Sequence, residues 1–103
     1  MSRLIEVKCI SIDNSNAAES GKLLVEEHLI VVSYVIPAKV FYRENNQVVE
    51  QDKTMLLLKS KDNVFKNKLN ARLKELSCQE NVVFPVVDVV PDYRAWVEKE
   101  VYE

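Results

Sequence analysis

A chain of 103 residues, 48% hydrophobic and 29% charged, has room for one globular domain over residues 1–103 and carries no disorder signature. Its net charge of -2 argues against sequence-independent nucleic-acid binding, and no apolar run approaches the roughly 20 residues that span a bilayer. The single glycine, Gly21, excludes P-loop and Rossmann phosphate loops, which need several positions open to φ > 0. The first residues enter apolar alternation with no leader pattern, so a cytoplasmic address is expected. There the two cysteines, Cys9 and Cys78, are expected as thiols.

Residues 4–12 alternate, with Ile5, Val7 and Cys9 on one face and Glu6 and Lys8 on the other, and predict a strand. Residues 13–16 offer several helix caps, and Asn16 with Glu19 reads as a capping box. Ala17, Gly21, Leu24, Val25 and His28 follow at helical spacing. Gly21 lets that helix lie close to a sheet, and His28 at its end suits packing or the C-terminal dipole better than metal ligation. Leu29 to Ile36 predicts a second strand ending at Pro37, after which the chain runs extended to Arg43.

Residues 44–47 (Glu-Asn-Asn-Gln) predict a hairpin turn, because asparagine tolerates left-handed backbone. The return arm, Val48 to Lys59, is polar in its first half and apolar from Met55 to Leu58. Its inner half belongs in the sheet while its outer half projects, ready to pair with a second copy. Ser60 is expected to cap a helix bearing Phe65, Leu69, Leu73 and Leu76 on one face. Residues 78–81 read as a loop and Val82 to Val90 as an edge strand, since Pro85 lacks the donor a central strand needs. Pro91 opens a last helix with Tyr93, Trp96, Val97 and Val101 on its buried side.

The order is β-α-β-β-α-β plus a terminal helix: an α+β, ferredoxin-like split βαβ sandwich with one antiparallel sheet and both helices on one face. Strands with apolar residues on both faces leave the second sheet face in need of cover. Association of copies supplies it.

In this order and spacing the chain resembles the CutA family of divalent-cation tolerance proteins over residues 4–97. The carriers are residues 6–10 (Glu-Val-Lys-Cys-Ile), the run from Glu27 to Pro37, and Phe41-Tyr42 with the arm to residues 55–60. They continue in residues 80–86 (Glu-Asn-Val-Val-Phe-Pro-Val) and in Asp92 to Trp96. The family's second cysteine is replaced within residues 30–32, its arm Trp and Gly by Glu44 and Asn46, and its histidine segment by residues 74–76.

The resemblance implies a homotrimer related in fold to the PII regulators, with exchanged hairpin arms. It also implies divalent-metal tolerance, with copper or zinc held weakly at Cys9 and Glu80. Cys78, two residues before Glu80, could stand in for the missing imidazole, since thiolates suit these ions. A buried strand cysteine and a solvated loop glutamate is the plainer account of the same residues. Lys59, beside the predicted helix start at Ser60, points to a second reading: a PII-like regulatory or scaffold trimer binding a small anionic ligand or a partner protein. Tyr42, Tyr93 and Trp96 are expected to line an intersubunit cleft, with Trp96 mainly in the core.

No Ser/His/Asp set, Cys/His pair or carboxylate dyad supports an enzyme. Acylphosphatases share the topology but need a glycine-bearing loop, and RNA-recognition domains need aromatics on the central strands.

Overall fold

Strand β1 (Leu4–Ser11) forms where the alternation predicts it, at the centre of a four-stranded sheet ordered β2-β3-β1-β4. The computed structural model describes residues 2–11 and 14–103, and the side chains at 11, 14, 15, 79 and 80 are outside that description. The capping expectation at Asp13 and the apolar position of Ile12 therefore lie outside the described residues.

Helix α1 (Asn14–Glu26) begins before Asn16, which sits in its first turn rather than at its cap. Ala17 and Leu24 are fully buried against the sheet. Strand β2 (Val32–Glu44) starts three residues later than expected and runs through Pro37 instead of ending there. It is an edge strand, so the missing amide donor of Pro37 breaks no ladder. Residues 29–31 are instead a buried connection, held by Val31 N–H donating to the Lys59 carbonyl at 2.9 Å.

The hairpin turn lies where Asn45 and Asn46 predict it, with φ of 51° and 62°. Strand β3 (Gln47–Lys61) pairs with β2 from Gln47 to Lys59 but with β1 only from Thr54 to Lys61. The outer arm thus projects beyond the four-stranded region, and the molecule measures 45 × 26 × 22 Å.

Ser60 does not cap a helix. The strand continues through it, its Oγ donates to the Leu29 carbonyl at 2.7 Å, and the helical segment starts at Asp62. That segment comprises α2 (Asp62–Val64), a π-helical stretch (Phe65–Leu69) and α3 (Asn70–Glu75). Leu69 and Leu73 are fully buried, with Phe65 and Leu76 packed beside them, as their spacing predicts.

Strand β4 (Cys78–Pro85) begins four residues earlier than expected and stops at the proline, so residues 78–81 are ladder and residues 86–90 are not. It lies at an edge, as Pro85 predicts. Helix α4 (Pro91–Glu100) buries Val97 and its follower Val101, but Trp96 is 43% exposed and not a core residue.

All strand pairs are antiparallel, and α1 and α3 pack on one face over Val7, Cys9, Leu56 and Leu58. The opposite face carries Ile10, Met55, Leu57, Tyr34, Val82 and Phe84, all partly or largely exposed. No helix among the described residues is long and apolar enough to cross a membrane.

Candidate functional site

Cys9 points to the helix-covered face because it alternates with Lys8 and Ile10 along β1. Cys78 is the first residue of β4 and pairs with Ser11, where the ladder shifts register between Ile10 and Ser11. This brings together side chains 69 residues apart, with Cα atoms at 5.7 Å, and they are joined as a disulfide. The thiols expected from the sequence are corrected accordingly. The reason is the early start of β4, which moves Cys78 out of a loop and into the sheet beside β1. Cys9 is completely buried and Cys78 nearly so.

Glu80 pairs with Ile10, one step from the Cys9↔Asn81 pair, and its side chain is outside the described residues. The Asn81 Oδ1 is buried without a hydrogen-bond partner among the described residues. Among those residues no three His, Cys, Asp or Glu side chains cluster as metal ligands. In the disulfide form neither sulfur is a donor to a metal. Once reduced, the same pair offers two thiolates from one spot on the sheet, a donor set that suits copper or zinc.

A second site forms on the other face, where residues 86–93 pass the inner end of the sheet. A cavity of about 280 Å³ is lined there by Glu6, Tyr34, Lys59, Asp88 and Tyr93 among others. Lys59 is not at a helix N-terminus, since the strand runs on to Lys61. Its Nζ donates to Glu6 Oε2 at 2.6 Å and lies 5.9 Å from the Tyr34 ring centre. The lysine charge is therefore already met within the cleft, and Asp88 adds a further carboxylate to the lining.

The Tyr93 hydroxyl is buried with no hydrogen-bond partner among the described residues. Burial, reinforced by Tyr34 and the Glu6 carboxylate, pushes the phenol above its ordinary pKa. Trp96 meets Tyr93 edge to face at 5.6 Å but does not line the cavity. Tyr42 lies far along the arm, paired with Val49 and facing Lys53 Nζ at 5.5 Å, so within one chain it is not beside Lys59. The sequence reading missed Glu6 and Tyr34. Only the register shows their proximity, since Glu6 and Lys59 are partners across β1 and β3.

His28 is two residues beyond α1, with φ of 60°. Its ring stacks on Tyr102 at 3.9 Å, its Nδ1 donates to the Glu100 carbonyl at 3.0 Å, and its own carbonyl accepts from Tyr102 N–H. It fastens the C-terminal residues to the end of α1, the packing role expected of it.

No curated protein sequence matches the chain significantly. A family profile described as CutA1 divalent ion tolerance protein matches residues 6–100. Among solved structures, the divalent cation tolerance protein CutA1 of Thermus thermophilus is 26% identical, with a TM-score of 0.82, covering 99% of this chain and 100% of that one. A point variant of CutA1 from Pyrococcus horikoshii is 25% identical, with a TM-score of 0.86 and coverage of 96% and 99%. CutA1 from Oryza sativa shares the fold at 15% identity, with a TM-score of 0.89 and coverage of 98% and 95%. With the family profile matching nearly its whole length, the chain belongs to the CutA1 divalent ion tolerance family.

Proposed function

We propose that this protein serves divalent-ion tolerance by binding rather than catalysis, as a homotrimer that holds copper or zinc weakly at Cys9, Cys78 and Glu80. The observation that carries this reading is the convergence of Cys9 and Cys78 from opposite ends of the chain onto one spot, where the inner strand β1 meets the edge strand β4. As thiolates these two sulfurs would hold the ion; Glu80, the carboxylate nearest Cys78 in sequence, pairs with Ile10 of the opposite sheet face and would reach the ion only through a local rearrangement of β4. The bound ion would be sequestered from other ligands.

The trimer is supported by the sheet face that carries Phe84, Val82 and Tyr34, each more than two-fifths exposed, and by the projecting β2–β3 arm. Apolar patches of this kind mark association surfaces. Light scattering on the purified chain tests this part, and a monomer at micromolar concentration overturns it. Zinc titration of the reduced protein and of its Cys9→Ser variant tests the metal part. Equal, negligible affinity in the two would sink it.

The second reading, a small anionic ligand near Lys59, draws on the cleft and the unpartnered Tyr93 hydroxyl, a hydrogen-bonding group still available. It ranks behind the first because Glu6 already neutralises Lys59 at 2.6 Å.

A further inference from the structure

We propose that Cys9 and Cys78 form a thiol–disulfide switch, so that the protein's redox state decides whether its metal-binding pair exists. This rests on the metal reading above and adds the regulation of that same site.

Three features of the structure carry it. Both cysteines are buried, but the bond joins the inner strand β1 to the first residue of an edge strand, so its two halves differ in how much pairing holds them. Cys9 is fully buried between β3 and β4, whereas Cys78 is the first residue of β4 and follows Ser77, whose φ is 64°. Cys78 also sits at the register shift, where the β1–β4 ladder is interrupted. Fraying the first residues of an edge strand opens the bond from the Cys78 side while the rest of the sheet stays paired.

The third feature is Asn81. It is the cross-strand partner of Cys9, so the two side chains leave the sheet on the same face. Its buried Oδ1 accepts no hydrogen bond among the described residues in the disulfide form. A Cys9 thiol, unlike a disulfide sulfur, carries a hydrogen it can donate. Reduction therefore supplies a donor beside an acceptor that lacks one.

The chemistry balances with a dithiol as the named reductant. Its thiolate attacks Cys78 Sγ, the Sγ–Sγ bond breaks, and the Cys9 thiolate leaves and takes up a proton. The reductant's second thiolate then displaces Cys78, which leaves as a thiolate, and closes the reductant's own disulfide. Two electrons pass from the dithiol to the cysteine pair. A low-molecular-weight disulfide such as oxidised glutathione reverses the exchange.

The test uses the full chain, first oxidised with glutathione disulfide and then reduced with dithiothreitol, which is removed before zinc is added. Thiols are counted at each stage by alkylation under denaturing conditions and mass measurement. The proposal expects no label after oxidation, two labels per chain after reduction, and zinc binding only in the second state. Cys78→Ser should fail to form the bond and lose zinc binding under both conditions. Cys78→Ala is the second variant, replacing a nearly buried side chain with a smaller apolar one should the serine not fold.

Reversible labelling with equal zinc binding in both states overturns the switch and places the zinc on ligands other than the two cysteines. Reversible labelling with no zinc binding in either state overturns the metal reading and the proposal with it. Two labels and zinc binding that both persist through oxidation overturn the disulfide and the switch, and leave the metal reading standing.

Discussion

Gly21 of α1 lies so close to Ser33 of β2 that a Cβ added to it would sit 2.5 Å from the serine Oγ and 3.2 Å from its Cβ. The helix rests on the sheet at a separation only a glycine permits. The hydroxyl can rotate away, but the Ser33 Cβ is fixed to the strand, so an alanine must push α1 outward. That strain opposes the gain of about 1 kcal/mol an alanine brings inside a helix. We expect Gly21→Ala to be net destabilising by about 1–2 kcal/mol, read from denaturant midpoints. Ser33 Oγ is buried without a partner among the described residues, so Ser33→Ala alone should be close to neutral. Adding it to Gly21→Ala should recover little of the loss, because the substitution keeps the Cβ at position 33 that the helix meets.

The Glu6–Lys59 pair yields a prediction about binding as well as stability. Both side chains are largely withdrawn from water, with exposures of 31% and 21%. Removing either partner strands a charge, and Lys59→Ala should cost about 1–3 kcal/mol. Glu6→Gln should have a different signature. It frees the lysine charge in the cleft, and affinity for inorganic phosphate should rise over that of the wild type in calorimetric titration. Unchanged phosphate affinity would show that the lysine is not held in check by its carboxylate.

The sequence made the elements legible because their signals are local. Alternation marks β1, asparagines mark the hairpin turn, and four-residue spacing marks the Leu69 and Leu73 face. It was less informative where pairing decides. Residues 78–81 look like a polar loop, yet the free edge of β1 recruits them into the sheet, and this alone brings Cys78 to Cys9. Pro37 looks like a strand end, yet on the outer edge its missing donor is harmless. The cleft residues Glu6 and Tyr34 meet Lys59 through cross-strand register, which no single segment encodes.

Arg72 grips Glu27 with two parallel bonds, Nε to Oε1 at 2.9 Å and Nη2 to Oε2 at 2.8 Å, tying α3 to the end of α1. The guanidinium, chiefly through these bonds, holds the Glu27 carboxyl below its ordinary pKa. Asp62 is likewise lowered, first by the Arg3 backbone N–H at 3.0 Å. A carboxylate whose pKa is depressed by folding adds stability above its unfolded value. That contribution is lost as pH falls through the folded value. We expect the melting temperature to decline below about pH 4, near the ordinary carboxylate pKa values. Glu27→Gln should melt slightly lower at pH 7 and show a shallower acid decline. Parallel acid profiles in the two proteins would exclude the carboxylate as a contributor.

Phe84 projects from the edge strand β4 on the face opposite the helices, 45% exposed, across from Glu6 on β1. If three copies bury this face, a charge there must be desolvated at the interface. Phe84→Glu should therefore shift the assembly from trimer toward monomer in light scattering, while far-UV circular dichroism retains the mixed α/β signature. A trimer that survives this substitution would place the interface elsewhere on the sheet.

The Cys9–Cys78 bond should also be visible as stability, independently of any metal. It closes a loop across a sequence separation of 69 residues, the whole span from β1 to β4. The chain-entropy argument assigns a loop of that length about 4 kcal/mol, a sizeable share of the roughly 5–15 kcal/mol total typical of a small domain. Dithiothreitol should therefore lower the denaturant midpoint of the wild type markedly, with metal excluded by a chelator. Cys78→Ala should unfold at the lower midpoint whether or not reductant is present. The slope of the transition should rise on reduction, because an unfolded chain without the cross-link is less compact and exposes more surface. If the wild-type midpoint does not respond to reductant after verified oxidation, the bond contributes no constraint. Its value to the protein would then lie only in withdrawing the two thiolates.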